Sequence, residues 1–118
     1  MHHILFICGK ARMRSPTAAE IARNALIAET DYAGLSSDAD ERLSVEQIAW
    51  ADSIAVMEKA QLAKLKRQFG PLLRNKHVVC LDIPDNYAFM QPELIVLLHQ
   101  KLRRLFAKVG FRSAPPHM

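Results

Sequence analysis

His3-Ile4-Leu5-Phe6-Ile7-Cys8 is a short, nearly continuous apolar run, and six residues, Gly9-Lys10-Ala11-Arg12-Met13-Arg14, separate it from Ser15-Pro16. Such a run marks a strand buried on both faces of a parallel sheet. Ser15-Pro16 reads as a helix start, because serine caps free amides and proline suits the first helical turn. Ala18, Ile21, Ala22, Ala25 and Leu26 then recur at helical spacing as one apolar stripe. Working outward, the same alternation repeats. Residues 32–36 read as a second strand and 43–50 as a helix capped by Ser44. Residues 53–57 read as a third strand, followed by a basic helix carrying Leu62, Leu65 and Phe69 and closed by Gly70-Pro71. Residues 77–82 read as a fourth strand and 83–90 as a loop. Pro92 opens a long helix with Leu94, Leu98, Leu102, Leu105 and Val109 on one face. The expected fold class is α/β, a three-layer sandwich with a four-stranded parallel sheet whose ligand site lies at the carboxyl ends of the strands.

At 118 residues, half of them hydrophobic, the chain fits one hydrophobic core, expected over residues 1–109, with 110–118 as a flexible C-terminal tail. No apolar run approaches the roughly 18 residues a membrane span needs, and Met1 is followed by His-His instead of a signal sequence. Two cysteines do not make a disulfide framework, so a reducing cytoplasm is the expected location. Charge is uneven. Residues 1–58 carry five basic and nine acidic residues, whereas 59–118 carry eleven basic and three acidic. Among Lys59, Lys64, Lys66, Arg67, Arg74 and Lys76 the one aromatic is the stripe residue Phe69 and there is no nucleic-acid motif, so the basic stretch reads as a solvated face and not as a nucleic-acid surface.

The segment from Cys8 to Ser15 carries the chemistry. A cysteine, five residues, an arginine and a hydroxyl residue between a buried strand and a helix start form a phosphate cradle with a nucleophile on its floor. The amides of Gly9, Lys10, Ala11, Arg12 and Met13 can line that cradle, and Arg14 can offer a bidentate fork to phosphate oxygens. Those amides, the helix terminus and Arg14 favour thiolate over thiol at Cys8, and Ser15 can donate to the sulfur as well as cap the helix.

Cys8 to Pro16, the Ala33-Gly34 turn, Arg42-Leu43-Ser44, Ala55-Val56-Met57-Glu58 and Ile83-Pro84-Asp85-Asn86-Tyr87 together resemble, in the same order, the low-molecular-weight protein tyrosine phosphatases. The resemblance implies the phosphotyrosine protein phosphatase I-like sandwich and cofactor-free, metal-free hydrolysis of phosphate monoesters through a phosphocysteine. It makes Cys8 the nucleophile, Arg14 the phosphate clamp, Ser15 the thiolate partner and Asp85 the general acid. Tyr87 becomes an aromatic wall beside the substrate, with a half-buried packing tyrosine as the alternative reading. Asp82 competes with Asp85, but should still be in or just leaving its strand. The implied partners are a phosphorylated protein or small phosphomonoester, with inorganic phosphate as product.

The chain also departs from the family. Lys10 and Ala11 stand where the family usually has glycine and asparagine, the latter tying the loop down. Met13 replaces a second cysteine that can protect the nucleophile from over-oxidation, and the stretch between Gly34 and Ser53 is short. Lys10 and Arg12 place positive charge at the rim, where it could recruit a second anionic group. Two other readings of the scaffold stand beside hydrolysis: a non-catalytic phospho-ligand module and an arsenate reductase-like redox enzyme. The latter would need Cys80, which reads as core within its strand.

Overall fold

Ile4, Leu5, Phe6 and Ile7 are all fully buried, so the first strand needs packing layers on both of its faces. The computed structural model, which describes residues 1–112, supplies both. Its elements in chain order are β1 (His2–Cys8), α1 (Arg14–Ala25), β2 (Ala28–Gly34), α2 (Val45–Trp50), β3 (Ser53–Val56), α3 (Lys59–Phe69), β4 (His77–Cys80) and α4 (Pro92–Leu105), with a 3₁₀ turn at Gly70–Leu73. All four strands are parallel, in the order β2-β1-β3-β4. From β1 the chain crosses to one side for β2 and to the other for β3. The strand order therefore reverses beside β1, the place where open α/β sheets leave a crevice.

Side chains of β1 alternate between two cores. Ile4, Phe6 and Cys8 join Ala18, Ile21 and Ala22 of α1 and Leu94, Leu98 and Leu102 of α4. Leu5 and Ile7 join Ile48 of α2, Leu65 of α3, and Ile54 and Val56 of β3. Each fully buried leucine or isoleucine contributes roughly 1.5–3 kcal/mol of transfer free energy, which is what holds the helices against the sheet. The start of α2 is fixed by a capping box, with Gln47 N–H donating to Ser44 Oγ and Ser44 N–H to Gln47 Oε1. Gln47 also donates to Asp31 Oδ2 and the Tyr32 carbonyl, tying α2 to β2.

The structure corrects four local expectations. β2 starts at Ala28, ahead of the expected residue 32; as an edge strand it exposes Glu29 and lacks a continuous apolar run. Helix α1 starts at Arg14, and Ser15 does not cap it: that side chain is fully buried and turned toward Cys8. Helix α4 stops at Leu105, although Val109 still packs on the same core. Gly110–Arg112, expected to be part of a loose tail, are tied down. Ile27 N–H donates to the Gly110 carbonyl, and Arg112 N–H to the Ala25 carbonyl. Residues 113–118, the remainder of that expected tail, lie outside the described residues.

Candidate active site

Cys8 ends β1 at the strand reversal, with only 3% of its surface exposed. Its sulfur lies 3.0 Å from Ser15 Oγ and accepts the Ala11 N–H at 3.2 Å. Around it opens a cleft of about 420 Å³, whose walls include Lys10, Arg12, Met13, Arg14, Ser36, Glu58, Gln61 and Asp85.

The loop is braced from outside. Leu35 N–H donates to the Cys8 carbonyl at 3.0 Å, Ser36 N–H to Gly9 at 2.9 Å and Asp40 N–H to Lys10 at 2.9 Å. A peptide's C=O and N–H point opposite ways, so holding these three carbonyls outward turns the amides of Gly9, Lys10 and Ala11 inward. Residues 35–40 thus do by backbone what an asparagine side chain in the loop would do. Ala11 still takes a left-handed conformation, φ 59°, at a cost of roughly 1–2 kcal/mol for a residue with a Cβ.

Gly34 is where the brace meets the loop. A Cβ there would come within 2.5 Å of the Gly9 carbonyl oxygen and 2.6 Å of Ala39 Cβ. Backbone atoms cannot give way as a flexible side chain can. Gly34→Ala is therefore expected to cost about 1–3 kcal/mol in urea unfolding and to distort the cradle. An unfolding midpoint equal to wild type would show that this close approach is not maintained.

Arg14, 4% exposed, is held along one edge. Nη1 donates to the Ile83 carbonyl at 2.7 Å and to Glu58 Oε2 at 2.9 Å. Nε faces Asp85 Oδ1 at 3.6 Å. With Nη1 anchored, the Nε and Nη2 edge is the fork presented to a ligand. Asp85 is 72% exposed, on the segment between β4 and α4. The competing carboxylate, Asp82, lies past the end of β4 with φ 54° and beside Cys80, outside the cleft lining.

Two expectations about the rim change. Lys10 Nζ pairs with Asp38 at 3.2 Å and Arg12 Nε with Asp40 at 3.0 Å, so neither is a free cation waiting for substrate. The Ser36 hydroxyl and then the Lys10 ammonium hold the Asp38 carboxyl below its ordinary range, which keeps that partner charged. Tyr87 is partly buried against the α1/α4 core and does not line the cleft.

No family model matches the chain, and no curated protein does either. Solved structures do. The tyrosine phosphatase Wzb from Escherichia coli K30, in complex with phosphate, superposes with a TM-score of 0.72 at 21% identity, covering 92% of this chain and 98% of its own. A low-molecular-weight protein tyrosine phosphatase from Streptococcus pyogenes gives 0.75 at 12% identity, with 92% and 93% covered. The arginine phosphatase YwlE from Geobacillus stearothermophilus gives 0.71 at 20% identity, with 92% and 95% covered. The fold is that of the low-molecular-weight protein tyrosine phosphatases.

On this phosphatase fold, Cys8, Arg14, Ser15 and Asp85 converge on one crevice, together with the backbone of Gly9, Lys10 and Ala11. Glu58 has two roles here, accepting from Arg14 while forming a capping box with Gln61 at the start of α3. Sequence reasoning missed Ser36, Gln61, Asp38 and Asp40. Glu58-Lys59-Ala60-Gln61 after an apolar strand is a capping-box pattern at a carboxyl strand end and would have revealed Gln61. No local pattern pairs Asp38 and Asp40 with Lys10 and Arg12, about a quarter of the chain away.

Proposed function

We propose that this chain hydrolyses phosphate monoesters through a phosphocysteine on Cys8. The observation that carries the reading is the environment of the sulfur. Cys8 Sγ sits on the floor of the cleft, within 3.0 Å of Ser15 Oγ and 3.2 Å of the Ala11 amide, beside a buried arginine anchored through Nη1. The inward amides and the Arg14 fork take the three non-bridging oxygens of a phosphate. The sulfur then attacks phosphorus in line, the S–P bond forming as the P–O bond to the leaving group breaks. Asp85 passes its proton to the departing oxygen. Water attacks the phosphocysteine in the second step and gives a proton to the Asp85 carboxylate. The S–P bond breaks, releasing inorganic phosphate and regenerating the thiolate.

The neighbouring folds include enzymes described as tyrosine and as arginine phosphatases, which supports phosphorylated protein side chains as substrates, with aryl phosphates such as phosphotyrosine first. Two reduced cysteines accord with a cytoplasmic setting. Redox chemistry between the cysteines gains no support. Cys80 packs with the α2/α3 core and Cys8 with the α1/α4 core, on opposite faces of the sheet. Burial also pushes the Cys80 thiol up, away from the thiolate such a reaction needs.

The test is release of inorganic phosphate from para-nitrophenyl phosphate between about pH 5 and 8. No turnover across that range would leave the fold as an anion-binding module. Asp85→Asn is expected to lower kcat about 100-fold on an alkyl phosphate, whose leaving oxygen needs a proton, and by less on para-nitrophenyl phosphate, whose phenolate departs unaided. Equal losses on both would remove Asp85 from the role of general acid.

A further inference from the structure

The cradle accounts for little of the chain's positive charge, because Lys10 and Arg12 are matched by Asp38 and Asp40, and Arg14 by Glu58. The surplus belongs to residues 59–118, and part of it is already committed. Lys76 Nζ donates to the carbonyls of Ala49 and Ala51, Arg112 to those of Arg23 and Ala28, and Arg103 lies over the Phe111 ring. Arg104 and Lys108 have no hydrogen-bond or ion-pair partner among the described residues.

Both border a second cleft, of about 490 Å³, at the amino ends of β1, β3 and β4, the pole opposite Cys8. Its floor is Ser53, 1% exposed, with a hydroxyl 2.8 Å from His2 Nε2 and 3.2 Å from His77 Nδ1. The His77 ring also meets the edge of Phe106, with centroids 6.0 Å apart. A hydroxyl bonded to both imidazoles fixes the two rings and leaves His2 Nδ1 and His77 Nε2 as their outward polar atoms. No carboxylate lines this cleft among the described residues. Asp52, next to Ser53 in the chain, accepts the His3 N–H at 2.9 Å. Basic residues near the end of α4 also suit the helix dipole, but a dipole explains neither the part-buried His2-Ser53-His77 chain nor the space beside it.

We propose that this cleft is a second anion site, taking a small phosphate-bearing ligand, with the phosphate between Arg104, Lys108 and the two imidazoles. Two cations and one imidazole N–H, the outward donor of whichever ring accepts the single Ser53 hydroxyl proton, match a tetrahedral dianion. The inference is independent of any chemistry at Cys8.

Histidine-selective NMR of the full chain, titrated with inorganic phosphate and then with pyrophosphate at constant chloride, tests it. The expected result is saturable movement of the His2 and His77 ring signals, about tenfold weaker in Arg104→Ala/Lys108→Ala. That double variant should leave hydrolysis of para-nitrophenyl phosphate unchanged. In a uniformly nitrogen-labelled sample the Gly9 and Lys10 amides report phosphate at the cradle separately, so failure of one site does not mask the other. Linear drift without saturation, or equal affinity in the double variant, overturns the proposal. A third arm titrates a single-stranded oligonucleotide; ring signals that saturate with it but not with pyrophosphate would overturn the small-ligand assignment.

Discussion

Cys8→Ser is expected to reduce turnover by at least about 10⁴-fold while leaving both the fold and phosphate binding in place. The reason lies in what each atom does. In the proposed mechanism phosphate is gripped by the inward amides and the Arg14 fork, none of which belongs to the Cys8 side chain. A serine oxygen is smaller than sulfur and accommodates both the Ser15 hydroxyl and the Ala11 N–H, so the buried pocket keeps its polar partners. What disappears is nucleophilicity, since an alcohol stays protonated where a thiol can ionise. The measurement pairs phosphate release from para-nitrophenyl phosphate with calorimetric binding of inorganic phosphate. Lost turnover with retained binding is the expected outcome. A serine variant as active as wild type would remove the phosphocysteine from the mechanism, and loss of binding would show that the sulfur itself holds the loop in shape.

How far the sequence reveals this site depends on the range of each interaction. β1, α1 and the loop between them are legible because burial on both faces leaves an unbroken apolar run, and because the cysteine-to-arginine spacing is local. The carboxyl end of β1 as the site follows from alternating strands and helices together with the reversal of strand order. Less legible are features set by contacts distant in sequence. Lys10 and Arg12 look like free rim cations until the loop after β2 brings Asp38 and Asp40 beside them. Tyr87 looks like a cleft wall until packing against the α1/α4 core draws it away. β2 hides its first half because an edge strand alternates with solvent. Ala11 is harder still, since its left-handed backbone is a demand of the loop that its side chain does not advertise.

Arg14→Lys should lower kcat/KM about 1,000-fold, although it keeps a positive charge at the same place. Arg14 is a two-sided connector. One edge is spent on structure, with Nη1 satisfying both the Ile83 carbonyl and Glu58 Oε2; the other, Nε and Nη2, remains for the ligand. A lysine has a single nitrogen. If its ammonium satisfies Ile83 and Glu58, it lies too deep to fork two phosphate oxygens; if it reaches toward phosphate, a buried carbonyl and a carboxylate lose their donor. Either way the planar support for a trigonal-bipyramidal phosphoryl group is gone, and the loss falls mainly on the transition state. The expected kinetic signature is a large fall in kcat with a smaller rise in KM, at an unfolding midpoint below wild type because Glu58 loses a buried partner. If KM rises by the full factor and kcat is unchanged, Arg14 serves ground-state binding alone, and the burden of stabilising the transition state passes to the amides of Gly9, Lys10 and Ala11.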